Sequence, residues 1–228
     1  MLLVLAGMQS AQALNAGDIA FTAFNGDAEN FAFVSWVDIA SGTTISFTDN
    51  EWLSASNTLS TTEGTLIWTA LNSISVGTVV SITTDSKGQK QASSGSVSTD
   101  TKFDLNVTAE SLYAFQGSAA APSFLTGLTT YLAPTPPATL TPGVNLLALP
   151  TSTDFSEYTG ARSGKSLVEL RSAVNNSTNW TGNIGGDGAT VHPLATVFAP
   201  VPEAGSAAML LSGLSLLGFM VKRRKTLA

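Results

Sequence analysis

This chain is written in short apolar runs, four to seven residues each, and most are closed by turn signals. Asp18-Ile19-Ala20-Phe21-Thr22-Ala23-Phe24 stops at Asn25-Gly26-Asp27, a hairpin signal because Asn and Gly tolerate the positive φ of tight turns. Phe31 to Val37 stops at Ala40-Ser41-Gly42. Thr44-Ile45-Ser46-Phe47-Thr48 alternates, which puts Ile45 and Phe47 on one face and the threonines on the other. Gly64 to Thr69, Val79 to Thr83 and Leu112 to Phe115 repeat the pattern. Runs this short do not make amphipathic helices, and each has an apolar face to bury. An antiparallel β-sandwich buries many such faces at once.

After Gln116 the texture changes. Ala133-Pro134-Thr135-Pro136-Pro137 has too many prolines for a hydrogen-bonded ladder and reads as a surface excursion. Gly143 to Leu149 supplies one more apolar strand, while the polar stretch Thr84 to Thr99 reads as a loop or a weak edge hairpin. Gly164 to Val174 predicts a helix, with Ser163 as its N-cap and Leu167, Leu170 and Val174 on one face. Lys165 and Glu169 are spaced as an i, i+4 pair within it. This helix is expected to cover an open end of the sandwich, with Trp180 packed nearby.

The C-terminus carries a different device. From Ala204 to Val221 there is no charge, and Lys222-Arg223-Arg224-Lys225 follows directly. Eighteen residues of helix span about 27 Å, close to the ~30 Å hydrocarbon core of a bilayer. The basic cluster can snorkel to headgroups and holds that end on the cytoplasmic side. A transmembrane helix over 204–221 is therefore expected. Val201-Pro202-Glu203 precedes it, and the three parts in this order resemble the PEP-CTERM sorting signal of Gram-negative bacteria. Ala204 stands where that motif usually has a second proline. The resemblance implies exosortase as partner, an inner-membrane-anchored precursor, and delivery to the cell surface or extracellular matrix, in systems that accompany exopolysaccharide.

An exported precursor also needs a leader. Met1 to Met8 is apolar, and Ala11-Gln12-Ala13 has the small-x-small form that signal peptidase cleaves, which would leave Leu14 as the first mature residue. No Lys or Arg occurs before Lys87. Two readings fit: a signal peptide over 1–13 truncated at its start, or a buried first strand. The parts are then a leader at 1–13, a sandwich ectodomain at 14–182, a linker at 183–200 and a sorting signal at 201–228. With no cysteine, stability must come from the core alone. Charged residues are 11%, the net charge is −6, and four of the ten basic residues sit in the tail. A body this acidic is not built to bind nucleic acid phosphates.

Gly17-Asp18-Ile19-Ala20-Phe21, Phe47-Thr48-Asp49-Asn50-Glu51-Trp52, Glu63 to Trp68, Gly143-Val144-Asn145 and Tyr158 to Arg162 are similar to bacterial extracellular lamin-tail-like modules. That resemblance implies a β-sandwich found in surface and secreted proteins, and it assigns no catalytic residue. Catalytic patterns are otherwise thin. His192 is the single histidine and stands in the stretch read as linker. Gly160-Ala161-Arg162-Ser163-Gly164-Lys165-Ser166 has three residues before Gly-Lys where a phosphate loop needs four. Asp49-Asn50-Glu51 at a strand end and Asp27 in the preceding turn could offer oxygens to calcium, with Trp52 beside them as a sugar-stacking ring. The competing reading makes Asp27 and Asp49 turn-stabilising residues and leaves Glu51 solvated. Trp36 and Trp68 lie in apolar strands and are expected in the core.

The fold class is thus mainly β: an antiparallel β-sandwich with one short covering helix, plus a C-terminal transmembrane helix. The function expected is that of an exported, non-enzymatic surface or matrix protein without a cofactor. A calcium-dependent glycan-binding or adhesion module is the alternative.

Overall fold

The structure, a computed structural model, describes residues 11–100, 102–131, 135–185, 188 and 191–202. In chain order the strands are β1 (Ile19–Asn25), β2 (Asn30–Ser35), β3 (Thr44–Thr48), β4 (Trp52–Leu53), β5 (Thr58–Leu59), β6 (Thr65–Thr69), β7 (Val79–Thr84) and β8 (Lys90–Ala92). They continue as β9 (Ser96–Thr99), β10 (Ser111–Ser118), β11 (Ala121–Thr129), β12 (Leu146–Ala148), β13 (Thr153–Tyr158), β14 (Ser163–Ser166), β15 (Trp180–Ile184) and β16 (Ala199–Val201). Helix α1 (Leu167–Val174) follows β14, and a single 3-10 turn at Ser177–Asn179 leads into β15.

Two six-stranded sheets form the sandwich, one ordered β15-β13-β1-β2-β7-β8 and the other β12-β11-β10-β3-β6-β9. Pairing within them is antiparallel except for β12, which runs parallel to β11. Between the sheets lies an aromatic core. Phe47 sits 4.9 Å from Phe31 and 5.1 Å from Phe33, and Phe33 meets the Trp68 ring edge-on at 5.3 Å. Ile45 and Phe47 do point inward together, as their alternation requires.

The first sheet is buried on both faces. A bulge between Phe21 and Ala23 lets Ile19, Phe21 and Phe24 face the core while Ala20 and Ala23 face outward. The outward face is small (Ala20, Ala23, Ala32, Val34), so other chain segments can approach it closely. Trp36, Tyr158, Leu170, Val174 and Phe198 pack on it. Trp36 is buried as expected, but on this outer face, not between the sheets. The helix likewise lies against the outer face and not over an open end. Its start differs too. Ser163–Ser166 forms β14, with Gly164 at φ +74°, and the N-cap is Ser166. Ser166 and Glu169 make a reciprocal capping box, which takes Glu169 for the helix end and leaves Lys165 outside the helix. Trp180 packs beside the helix, its indole N–H donating to Val174 O at 2.8 Å.

The second sheet has its own outer cluster, in which Tyr113, Phe115 and Phe124 are covered by Leu59, Leu140 and Leu146. The polar stretch after Thr84 supplies two edge strands, yet they serve different sheets: β8 pairs with β7 and β9 with β6. This crossover closes one flank. Of the run Gly143 to Leu149, only Leu146–Ala148 is strand, because Gly143 turns the chain at φ +76°.

The stretch read as a linker is a correction. Its described part is laid along the first sheet as a strap. Asn25 donates its carboxamide to Gly188 O and Val191 O at 2.6 and 2.8 Å, and Leu194 N–H donates to Glu157 Oε1 at 2.8 Å. Phe198 is buried against Trp36, and β16 then pairs with β14 in parallel. Three prolines (Pro193, Pro200 and Pro202) and the exposed Leu194 and Val197 give this stretch no strand-like pattern, and the strap is held mostly through its backbone.

Candidate functional site

Two places concentrate the residues singled out from the sequence: the acidic end of the sandwich and the exit of the strap. At the acidic end β3 runs out into Asp49 and Asn50. Asp49 is buried, its Oδ1 accepting from Gly64 N–H and its Oδ2 from Asp104 N–H, both at 2.8 Å. Burial pushes its pKa upward against these amide bonds. Asn50 completes the clasp, donating to Gly64 O and accepting from the Ser60 hydroxyl and the Glu63 N–H, each at 3.0 Å. The two residues tie the end of β3 to the segments around Gly64 and Asp104, which is neither a local turn nor an open ligand set.

The remaining candidates are dispersed. Asp27 is exposed at the β1–β2 turn and accepts from Gly188 N–H at 2.6 Å, so it fastens the strap. Glu51 is exposed. Trp52 is half-buried, edge-on to Phe124 at 5.3 Å, and serves the outer cluster of the second sheet. Among the described residues no group of three or more His, Cys, Asp or Glu side chains is placed to hold a metal ion. His192 is exposed on the strap.

Among the buried titratable groups that escaped the sequence reading are Glu110 and Lys90. Glu110 accepts from Asn106 N–H at 2.6 Å and Ser111 N–H at 2.7 Å, while burial raises its pKa to about 8. Lys90 spends its three N–H donors on Glu29 O, Glu29 Oε2 and Thr84 Oγ1 at 2.7–2.8 Å, and burial depresses its pKa. Each stands in a polar stretch with nothing nearby in sequence to mark it as buried. Glu63 also has a raised pKa, from burial first and then from the charges of Asp49 and Glu51.

At the other site the strap delivers the chain to its tail. Arg162 donates to Thr196 O at 2.8 Å, and its guanidinium lies 4.8 Å from the centre of the Phe198 ring. Val201 is paired opposite Ser166, next to the helix cap, and Pro202 is exposed directly after it. Glu203, the expected span 204–221 and Lys222, Arg223, Arg224 and Lys225 lie outside the described residues. No helix among the described residues is long and apolar enough to cross a membrane. At the N-terminal side Ala11 and Ala13 are exposed and, among the described residues, no strand precedes β1, but Gln12 between them is tied in. Its N–H donates to Thr43 Oγ1 and its carbonyl accepts from Gln116, both at 3.1 Å.

No curated protein and no solved structure shows detectable similarity to this chain. Residues 200–225 match the PEP-CTERM protein-sorting motif. The matched segment begins at the last strand of the strap and takes in Val201, Pro202, Glu203 and the basic cluster. The chain therefore carries, directly behind a mainly β body, the PEP-CTERM signal of an extracellular protein whose membrane-anchored precursor is processed by exosortase.

Proposed function

We propose that this is a non-catalytic surface or matrix protein of a Gram-negative bacterium: a lamin-tail-like β-sandwich exported by a leader at its N-terminus, held by a tail helix in the inner membrane and then passed by exosortase to an exopolysaccharide-rich matrix. The observation that carries the reading is the sorting motif at 200–225, which continues the folded body at β16. The commitment of Asp49 and Asn50 to backbone clasps supports a structural role for the acidic end. The test is made in the producing cell with a tagged body. Replacing Lys222, Arg223, Arg224 and Lys225 with neutral residues should impair stop-transfer and processing. Unchanged anchoring and cleavage would sink the reading.

A calcium-dependent adhesion module is the second reading, favoured by the mutual charge of Glu63, Asp49 and Glu51, which a cation would relieve. A site half-saturated at ~1 mM would gain about 1.4 kcal/mol at ~10 mM calcium, a rise of a few degrees in melting temperature. The first reading expects no rise. A rise that Glu51→Gln with Glu63→Gln abolishes would put adhesion first.

A further inference from the structure

The flank opposite the β8–β9 crossover is open, since β15 ends one sheet there and β12 ends the other. Three concavities follow one another along it. The first, about 330 Å³, lies between the turn Gly143–Asn145 and the side of α1 carrying Val168 and Arg171. The second, about 320 Å³, shares Gly143 and Ser172 with the first and continues to Asn176 and Ser177. The third, about 150 Å³, shares Ser177 and ends between Trp180 and Asn183. Along the helix alone the row runs about 10 Å, from Val168 to Asn175, and it continues beyond. It is shaped for an extended chain and not for one small molecule.

Arg171 apart, its lining is uncharged: Val144 and Val168 make the first concavity largely apolar, and hydrogen-bonding groups gather in the second and third. Among the described residues, no hydrogen bond engages the hydroxyls of Ser172 and Ser177 or the carboxamide of Asn183. Arg171 is the one charged residue lining the three concavities, and Asp18 lies 3.9 Å from it. At the far end the half-buried Trp180 ring is held in place by its bond to Val174 O and by edge contact with Tyr158. Free hydroxyls and amides beside a fixed aromatic ring suit a sugar polymer, whose rings have an apolar face and a hydroxylated rim. The net charge of −6 disfavours an acidic polymer. A peptide added as a strand would find β12 three residues long with Pro150 two residues beyond it, a poor template.

We propose that this groove binds a strand of neutral polysaccharide, with one ring over Trp180 and its hydroxyls on Ser177 and Asn183. The inference rests on the matrix reading above and names the surface that would serve it. The full-length chain in mild detergent is run through gels containing laminarin, hydroxyethylcellulose, dextran, galactomannan or alginate. At least one neutral polymer should retard it and alginate should not. Ser177→Ala with Asn183→Ala, both on polar lining positions, should weaken that retardation about tenfold, the loss of two ordinary hydrogen bonds. Lys87→Gln, on the exposed β7–β8 turn outside the groove, should leave it unchanged. Trp180→Ala should abolish it, with a melting curve to show that the variant folds. Failure of every neutral polymer, retardation by alginate alone, retardation only by added polypeptide, or retardation that the double variant leaves intact would overturn the inference. Sorting is scored separately in cells: normal processing without retardation overturns the groove alone, whereas retardation with failed processing overturns the delivery reading and leaves the groove standing.

Discussion

Both carboxylate oxygens of Asp49 are taken by amides from distant parts of the chain, Gly64 and Asp104. Asp49→Ala leaves the buried Gly64 N–H and the less buried Asp104 N–H without their acceptor and should cost about 2 kcal/mol in chemical denaturation. Asp49→Asn keeps one acceptor and should cost less. A neutral effect of the alanine would remove Asp49 from the clasp. Glu110 sets a pH dependence. Its folded pKa of about 8 exceeds the ordinary 4.5, so across that window the folded state holds the extra proton and stability falls as pH rises. Asp49 shifts in the same direction. The melting temperature should decline between pH 5 and 9, and Glu110→Gln, which cannot ionise, should flatten the slope. A slope that is the same in both proteins would exclude Glu110 as its source. Asp49 was visible in the sequence because it stands at a strand end beside another acid. Glu110 was not, since its burial comes from Thr130 and the 106–111 turn folding over it.

At the scale of elements the strap is the informative piece. Phe198 joins Trp36, Tyr158 and Arg162 on a sheet face made of alanine and valine. Phe198→Ala should cost about 3–4 kcal/mol and release residues 191–202 to limited proteolysis while the sandwich stays resistant. A variant whose strap resists protease as the wild type does would show that its backbone bonds suffice. Strands β1, β2, β3, β6, β7 and β10 were legible because apolar runs closed by Gly, Asn or Asp turns are local signals, whereas β11, β13 and β15 carry polar residues or glycine through their length and were not read as strands. The strap was no more legible. Its one large buried side chain among the described residues, Phe198, is not set apart by sequence from Leu194, Val197 and Val201, which are exposed, and its other ties run through backbone groups that every residue has. The start of α1 misled for a related reason: Ser163 and Ser166 are both chemically fit to cap, and the choice falls to Gly164 and to pairing with β16, a strand more than thirty residues away.

For the molecule as a whole, the aromatic core and the outer cluster under the strap are joined by Trp180, which packs against both. The body should therefore unfold in one cooperative transition, and since the chain has no cysteine that transition should be indifferent to reductant. Two separated transitions by calorimetry would show that the clusters are independent. The position of β16 also bears on mechanics. A precursor held by its tail feels any drag on the body first at Val201, and the chain can yield one fastening at a time, from Val201 through Phe198 to Gly188. The thirteen steps of chain from Gly188 to Val201, at about 3.4 Å each, measure roughly 45 Å before the load reaches a strand of the main sheets. The body is thus tethered through a fuse, a length of slack that absorbs a tug without opening the sandwich.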